Sequence, residues 1–265
     1  MFVHNFNPVL INLGFFEIRW YSLAYILGIL IGWWLGKKII DFKIKNQNLD
    51  INSNIFDDLI SSLIISIILG GRLGYVFFYN FSYYFNNPID ILKIWEGGMS
   101  FHGALIGIII GTYLFAKKNN VNIFLFLDAV GCVAPVGLFF GRIANFINGE
   151  LYGKPTDIMW SVIFPEIDKL SRHPSQIYEA LLEGGLLFII LMILAFNKKI
   201  KTGVCSSLFL ILYGFFRIFS EFFREPDEQI GYLFSNISMG TILSGVMIFA
   251  GLFIFFKINK DATNK

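Results

Sequence analysis

The stretch WYSLAYILGILIGWWLGKKII, residues 20–40, runs without a charged side chain until Lys37 and Lys38. A helix rises about 1.5 Å per residue, so roughly 20 such residues cross a hydrocarbon core about 30 Å thick. Six further apolar runs follow, at 55–79, 99–116, 122–140, 175–196, 203–222 and 236–256. The 265-residue chain is 55% hydrophobic and 15% charged, whereas a soluble domain covers itself with about 25% charged residues. These features predict an all-α integral membrane protein with seven transmembrane helices, a single polytopic domain over residues 1–265. MFVHNFNPVL at the start lacks a basic segment and does not read as a secretory signal. The net charge of +2 gives no polybasic footprint, so no nucleic-acid partner is expected.

Orientation follows from the loops. One set holds twelve basic residues: Lys37, Lys38, Lys43, Lys45, Lys117, Lys118, Lys198, Lys199, Lys201, Lys257, Lys260 and Lys265. The opposite set holds seven: Arg19, Lys93, Arg142, Lys154, Lys169, Arg172 and Arg224. The lysine-rich side is expected in the cytoplasm, which places the N-terminus outside and the C-terminus inside. The longest connection, about 141–174, then becomes an external insertion between the fourth and fifth helices. WSVIF at 160–164 reads as a short strand within it, and Pro174 opens the next helix where a missing N–H costs little. Cys132 and Cys205 sit inside apolar runs and read as small packing residues.

Polar residues within the apolar runs carry the functional signal. Arg217 lies roughly 21 Å along segment six from its cytoplasmic end. Glu221 and Arg224 follow within about 40° and about 20° of it around an ideal helix, so RIFSEFFR (217–224) is expected to present all three on one face. Tyr213 lies one turn deeper. Tyr21, Arg72, His102, Arg142, Asn145, Glu150, Glu179 and Glu183 all fall toward the external ends of their segments. A charge near mid-membrane costs roughly 2.5–3.5 kcal/mol on insertion scales, so convergence at one depth marks a functional site.

Plainer readings stand beside this one. Arg217 with Glu221 reads also as a helix-steadying ion pair, Arg142 and Arg224 as snorkelling arginines, and His102 as an interfacial histidine. Glu179 and Glu183 read equally as acids of a packing interface. Asp128, away from the cluster, reads as structural; Gly70/Gly74 and Gly107/Gly111 read as close helix contacts; His4 and Lys154 read as surface residues.

Arginines at one level suit a phosphate, and the abundant phosphate of an outer leaflet belongs to phospholipid. A histidine and a tyrosine nearby are able to move a proton. The sequence has no G-x-S-x-G elbow, no HExxH and no Cys/His zinc spacing, which disfavours a covalent enzyme intermediate and a metal hydrolase. Direct transfer from lipid to a second substrate fits best. An anion-binding or transport bundle, and a phospholipid-dependent transferase moving an acyl or phosphoryl group, remain as alternatives.

GRIANFINGELYG at 141–153 resembles the signature of the bacterial prolipoprotein diacylglyceryl transferases. The resemblance continues through WY at 20–21, GGRLGYVFFYN at 70–80, GGMSFHGALIG at 97–107, RHPSQIYEALLEG at 172–184 and YGFFRIFSEFFREPD at 213–227. Ala104 and Ala144 depart from glycines common in that family. The resemblance implies phosphatidylglycerol as donor and the lipobox cysteine of a prolipoprotein signal peptide as acceptor, joined as a thioether with release of glycerol phosphate. It implies Tyr21, His102, Arg142 and Arg217 as catalytic residues, and Arg142, Asn145, Glu150, Gly153, Arg217, Glu221 and Arg224 as the phosphatidylglycerol site. No metal or soluble cofactor is expected. The expected setting is the bacterial cytoplasmic (inner) membrane, with the lipid bilayer as a partner, the active site toward the outer leaflet and the chain acting as a monomer.

Overall fold

In hydrocarbon every backbone N–H and C=O has to be satisfied within the chain, and an apolar run does this as a helix. The computed structural model describes residues 2–14, 17–226, 232–234 and 237–263, with backbone alone at Glu96, Phe101, His102, 232–234, Ile237 and 261–263. Helices α1 (Trp20–Gln47), α2 (Ile55–Phe78), the short α3 (Phe81–Asn86), α4 (Phe101–Lys118) and α5 (Ile123–Asn148) come first. Next come α6 (Ser175–Glu179), a wide π-helical stretch (Ala180–Leu186), α7 (Leu187–Ala195), α8 (Val204–Glu221) and α9 (Met239–Thr263). Among the described residues, six stretches are long and apolar enough to cross a membrane: α1, α2, α5, Ser175–Ala195, α8 and Met239–Lys260. The 18 residues of α4 end on Lys117 and Lys118. This is an all-α membrane protein.

Two helix boundaries differ from those expected. α5 continues through GRIANFIN to Asn148, two turns past the apolar segment's end at 140, because its polar residues find partners there. α8 stops at Glu221, so Arg224 does not extend its face. The chain instead turns and pairs, Gly153 bridging Arg224. Lys154 Nζ donates to the Phe222 carbonyl at 3.1 Å, satisfying an end that the helix leaves open.

The chain forms two compact units, residues 40–127 and residues 1–39 with 128–265. In the first, α2 packs on α4 through small residues: a Cβ on Gly70 would lie 2.9 Å from the Cα of Gly107, and one on Gly74 2.6 Å from the Cα of Gly103. The expected glycine contacts are present. Arg72 turns inward from α2 and gathers a loop. Its Nε donates to Ile91 O, Nη1 to Gly97 O and Gly98 O, and Nη2 to Asp90 O and Lys93 O. Every N–H of that guanidinium is therefore committed to carbonyls. The opposite surface is apolar: Ile65, Leu69, Leu73, Phe77, Phe81, Phe85 and Ile89 are all exposed. Four-residue steps thus carry one lipid-compatible stripe out of α2, through α3 and onto the loop.

In the second unit, α8 and α9 meet through Gly214, whose Cβ would lie 2.7 Å from Ser244 O, and Gly251, whose Cβ would lie 2.7 Å from Ile211 Cγ1. Gly28 of α1 sits against Gly137 of α5, where a Cβ would be 3.1 Å from the Gly137 Cα. Val246, Phe249, Phe253 and Phe256 leave one face of α9 exposed and apolar. Asp128 is buried and caps α8, accepting from Gly203 N at 2.7 Å and Ser206 N at 2.8 Å; its expected structural role is visible. Cys132 and Cys205 are buried thiols, as their reading as small packing residues expects.

Residues 149–174 are ordered by short pairings. β2 (Val162–Ile163), within the expected strand, lies between β1 (Phe2–Val3) and β3 (Ser171–Arg172). His4 is not a surface residue: it is buried among Phe6, Phe146 and Phe164, its Nε2 2.7 Å from Phe146 O. Arg172 knits the region together. Its Nη1 donates to Gly153 O at 2.9 Å, its Nε faces Asp168 Oδ2 at 3.2 Å, and its guanidinium lies 4.8 Å over the Tyr152 ring. Those hydrogen bonds hold the Asp168 carboxyl below its ordinary range. Burial, with Lys154 adding repulsion, lowers His173.

Candidate active site

Three arginines and three glutamates meet in the second unit. Arg142 comes from α5, Arg217 from α8 and Arg224 from the bridge beyond it. Arg217 extends Nη1 to Glu179 Oε1 at 2.8 Å and Nη2 to Glu221 Oε2 at 2.7 Å. Arg142 places Nε 3.0 Å from Glu179 Oε2 and Nη2 3.2 Å from Glu183 Oε2. Arg224 Nη1 lies 3.7 Å from Glu179 Oε1. The Glu179 and Glu183 side chains have no accessible surface, and those of Arg142, Arg217, Glu221 and Arg224 have little.

Local structure explains the meeting. Glu179 ends α6 and Glu183 lies in the π-helical stretch, whose i→i+5 bonding opens the turn. Gly184 lets that turn press on α5: a Cβ there would sit 2.7 Å from the Cα of Phe139, one turn before Arg142. Gly240, at the start of α9, borders the other side, where a Cβ would lie 3.2 Å from Arg217 Nη2 and 3.3 Å from the Glu221 carboxylate. Small residues thus bring backbone up to the charges on both flanks.

Each of the six groups alone would be expensive in a membrane, at several kcal/mol per ion. Together they are neutral when all are ionised, and the guanidinium forks match the carboxylates. The pairing leaves capacity. Arg142 Nε with Glu179 Oε2, and Arg217 Nη2 with Glu221 Oε2, are ionic contacts in which Arg142 Nε and both oxygens make no aligned hydrogen bond, and Glu183 Oε1 lies 4.0 Å from Arg217. Forked donors held in place by charge, and not fully consumed, are suited to an incoming phosphate.

The GELYG turn abuts this cluster. Asn145 Nδ2 and Asn148 Nδ2 donate to the two Glu150 oxygens at 3.1 and 3.2 Å. Glu150 N returns to Asn145 O at 2.9 Å, and Gln176 Nε2 donates to Glu150 O at 2.6 Å. Glu150 therefore closes the end of α5 and ties it to α6. Leu151 takes φ +55°, a conformation that side chains seldom adopt. Gly153 has no room for a side chain: a Cβ would sit 2.6 Å from His173 Cβ and 2.8 Å from Phe223 O.

The chain matches the family model for prolipoprotein diacylglyceryl transferase over residues 8–257. It belongs to that family. It is 51% identical over 257 residues to the phosphatidylglycerol–prolipoprotein diacylglyceryl transferase of Rickettsia akari (strain Hartford), covering 96% of this chain and 98% of the relative. The corresponding enzyme of Ehrlichia canis (strain Jake) is 52% identical over 258 residues, covering 96% of each chain.

Of the residues singled out by their motifs, Arg142, Arg217, Glu221 and Arg224 share one network in this member of the transferase family. Asn145, Glu150 and Gly153 build the turn beside it. Tyr21, in the first turn of α1, packs its ring 5.0 Å from that of Tyr25. The His102 side chain lies outside the described residues. Two residues that the motif roles left out, Glu179 and Glu183, turn out to be the counter-charges of the network. The sequence signal for them was the pair of acids one turn apart in the otherwise apolar run SQIYEALLEGGLLF.

Proposed function

We infer that this chain transfers the diacylglyceryl group of phosphatidylglycerol to the lipobox cysteine of prolipoproteins. The cysteine sulfur attacks the glyceryl carbon that carries the phosphate. A C–S bond forms, the C–O bond breaks with its electron pair leaving on the phosphate oxygen, and the thiol proton departs. The products are a thioether and glycerol phosphate. The observation that carries this reading is the buried arginine–glutamate network in a membrane chain of this family.

Negative charge grows on the departing phosphate, and Arg142 and Arg217 are the groups assigned to offset it. Such preorganised electrostatic stabilisation is often the largest single catalytic contribution. Arg224 adds a third cation to the headgroup site, and Glu221 orients Arg217. Asn145, Glu150 and Gly153 shape the turn against which the headgroup rests, and Tyr21 completes the assigned set. A free thiol ionises near pH 8.5, so the acceptor is mostly protonated at neutral pH. The motif assigns His102 to take that proton, and a rate ratio of His102→Gln to wild type that stays constant across pH 6–9 would remove this role.

The same reading places the whole chain as one polytopic domain in the bacterial cytoplasmic membrane. α4 is the seventh span, the N-terminus is outside, the C-terminus is inside, and residues between α5 and α6 form an external insertion. The site then faces the outer leaflet, where exported prolipoprotein and lipid headgroup meet, and a monomer suffices. The deciding assay mixes purified protein, phosphatidylglycerol and a lipobox peptide. The expected product is peptide heavier by one diacylglyceryl group on cysteine. Gain of an acyl or phosphoryl mass instead, or no product from folded protein, overturns the reading.

A further inference from the structure

Glu179 is the one carboxylate among the described residues within ion-pair distance of all three arginines. Its Oε1 faces Arg217 and Arg224, at 2.8 and 3.7 Å, and its Oε2 faces Arg142 at 3.0 Å. Glu183 reaches Arg142 at 3.2 Å and Arg217 only at 4.0 Å. Glu221 reaches Arg217 from the same helix. The three arginines come from two helices and a turn, with no covalent reason to keep a fixed spacing. The fully buried Glu179 side chain stands between them on a fourth element.

We propose that Glu179 is a positioning residue for the transfer. One rigid carboxylate plane, with an oxygen toward Arg142 and the other toward Arg217 and Arg224, sets the distance and angle at which the two principal guanidiniums offer their remaining N–H groups to one phosphate. This deepens the reading above, since it takes the arginines to be the phosphate site. Glu179 touches no reacting atom. It acts through the arginines, and neither neighbouring acid is placed to substitute for it: Glu183 comes no closer than 4.0 Å to Arg217, and Glu221 pairs with Arg217 from the same helix.

A positioning role and a simple counter-charge role predict opposite signs. Removing one negative charge from an anion site strengthens anion binding when geometry is unaffected. Glu179→Gln removes that charge but also aims an amide NH2 at a guanidinium, so the arginines separate. Glu183→Gln removes the same charge and leaves the ion pairs of Glu179 in place. Glu179→Asp keeps the charge but shortens the reach by one methylene, so it cannot hold both sides.

The experiment measures glycerol phosphate binding, phosphatidylglycerol transfer kinetics and thermal unfolding on each purified full-length variant. Glu179→Gln and Glu179→Asp each give up one charge-assisted hydrogen bond, so their binding is expected to weaken about tenfold or more. Their kcat is expected to fall beyond any rise in KM, while Glu183→Gln, which gives up a bond to Arg142 alone, is expected to weaken binding less than Glu179→Gln. Tighter binding by both glutamine variants, or a wild-type Glu179→Asp, would overturn the proposal and leave Glu179 a counter-charge. If Glu179→Gln does not fold, Glu179→Asp alone decides. A wild-type protein that neither binds glycerol phosphate nor modifies the peptide would instead remove the underlying reading of the site.

Discussion

Replacing Arg217 by lysine tests whether the shape of the guanidinium matters beyond its charge. Arg217 serves two carboxylates from two nitrogens of one plane, Glu179 at 2.8 Å and Glu221 at 2.7 Å. A lysine carries its charge on one nitrogen without the flat fork, and from a shorter reach it holds one of these acids well. A hydrogen bond to a charged group contributes about 1.5–3 kcal/mol. Losing the one to Glu179, at about 1.4 kcal/mol per factor of ten, lowers kcat/KM roughly 10- to 150-fold. Arg217→Ala goes further: it leaves both acids without this partner, and breaking a buried pair from one side costs about 3–5 kcal/mol, so stability falls as well. The assay is kcat/KM for transfer from phosphatidylglycerol in nanodiscs to a lipobox peptide, read by mass, with thermal unfolding of the same samples. A lysine variant as active as wild type would refute the argument, because charge alone would then suffice.

Other consequences are open to direct measurement. Glu221→Gln retains the shape of its side chain and should reduce transfer less than Arg217→Ala; the reverse order contradicts its assignment as an orienting group. Arg72→Lys cannot reach five carbonyls spread over residues 90–98, so hydrogen exchange in that loop should accelerate while α2 and α4 stay protected. Asp128→Ala strands Gly203 N and Ser206 N at the start of α8 and should cost about 1–3 kcal/mol of stability, seen as a lower melting temperature with kcat intact in the folded enzyme. Asp168, held below its ordinary range by Arg172, gives stability that is present above the unfolded carboxyl range and lost as pH falls through the folded value. Melting temperature should therefore drop on acidification below about pH 4, and Asp168→Asn should flatten that slope.

The helices were legible because lipid leaves the chain one local solution. Charge-free runs such as 20–40 announce themselves, and their ends follow from lysines and caps. α5 outruns its apolar segment, since GRIANFIN is polar by composition and helical because Asn145 and Asn148 hold Glu150 and Arg142 finds Glu179 and Glu183. RIFSEFFR shows the limit of periodicity. Glu221 lies on the Arg217 face as an ideal helix requires, but Arg224 reaches the network from a turn paired with Gly153. His4 and Lys154 look like surface residues because their partners, the carbonyls of Phe146 and Phe222, are backbone groups distant in sequence that leave no mark in composition.

Charge parity would have recovered the hidden part of the site. Arg217 lies deep in an apolar helix and Arg142 at the polar end of another, where a charge is costly to hold singly. Glu221 supplies one opposing charge, so at least one more acid has to come from a different apolar segment at similar depth. The run 175–196 is an apolar segment with two acids in its outer half, spaced to share a face. Once the turn there widens, Glu179 and Glu183 both reach the arginines, and two arginines otherwise competing for a single acid gain separate oxygens. Parity also separates the cluster from Arg72, whose charge is absorbed by carbonyl dipoles and calls for no acid. An arginine held by carboxylates that do not consume all its N–H groups keeps donors to offer a phosphate, whereas one with every N–H bound to its own loop does not. That criterion supports the roles proposed for Arg142 and Arg217, and it leaves Arg72 to the architecture of its loop.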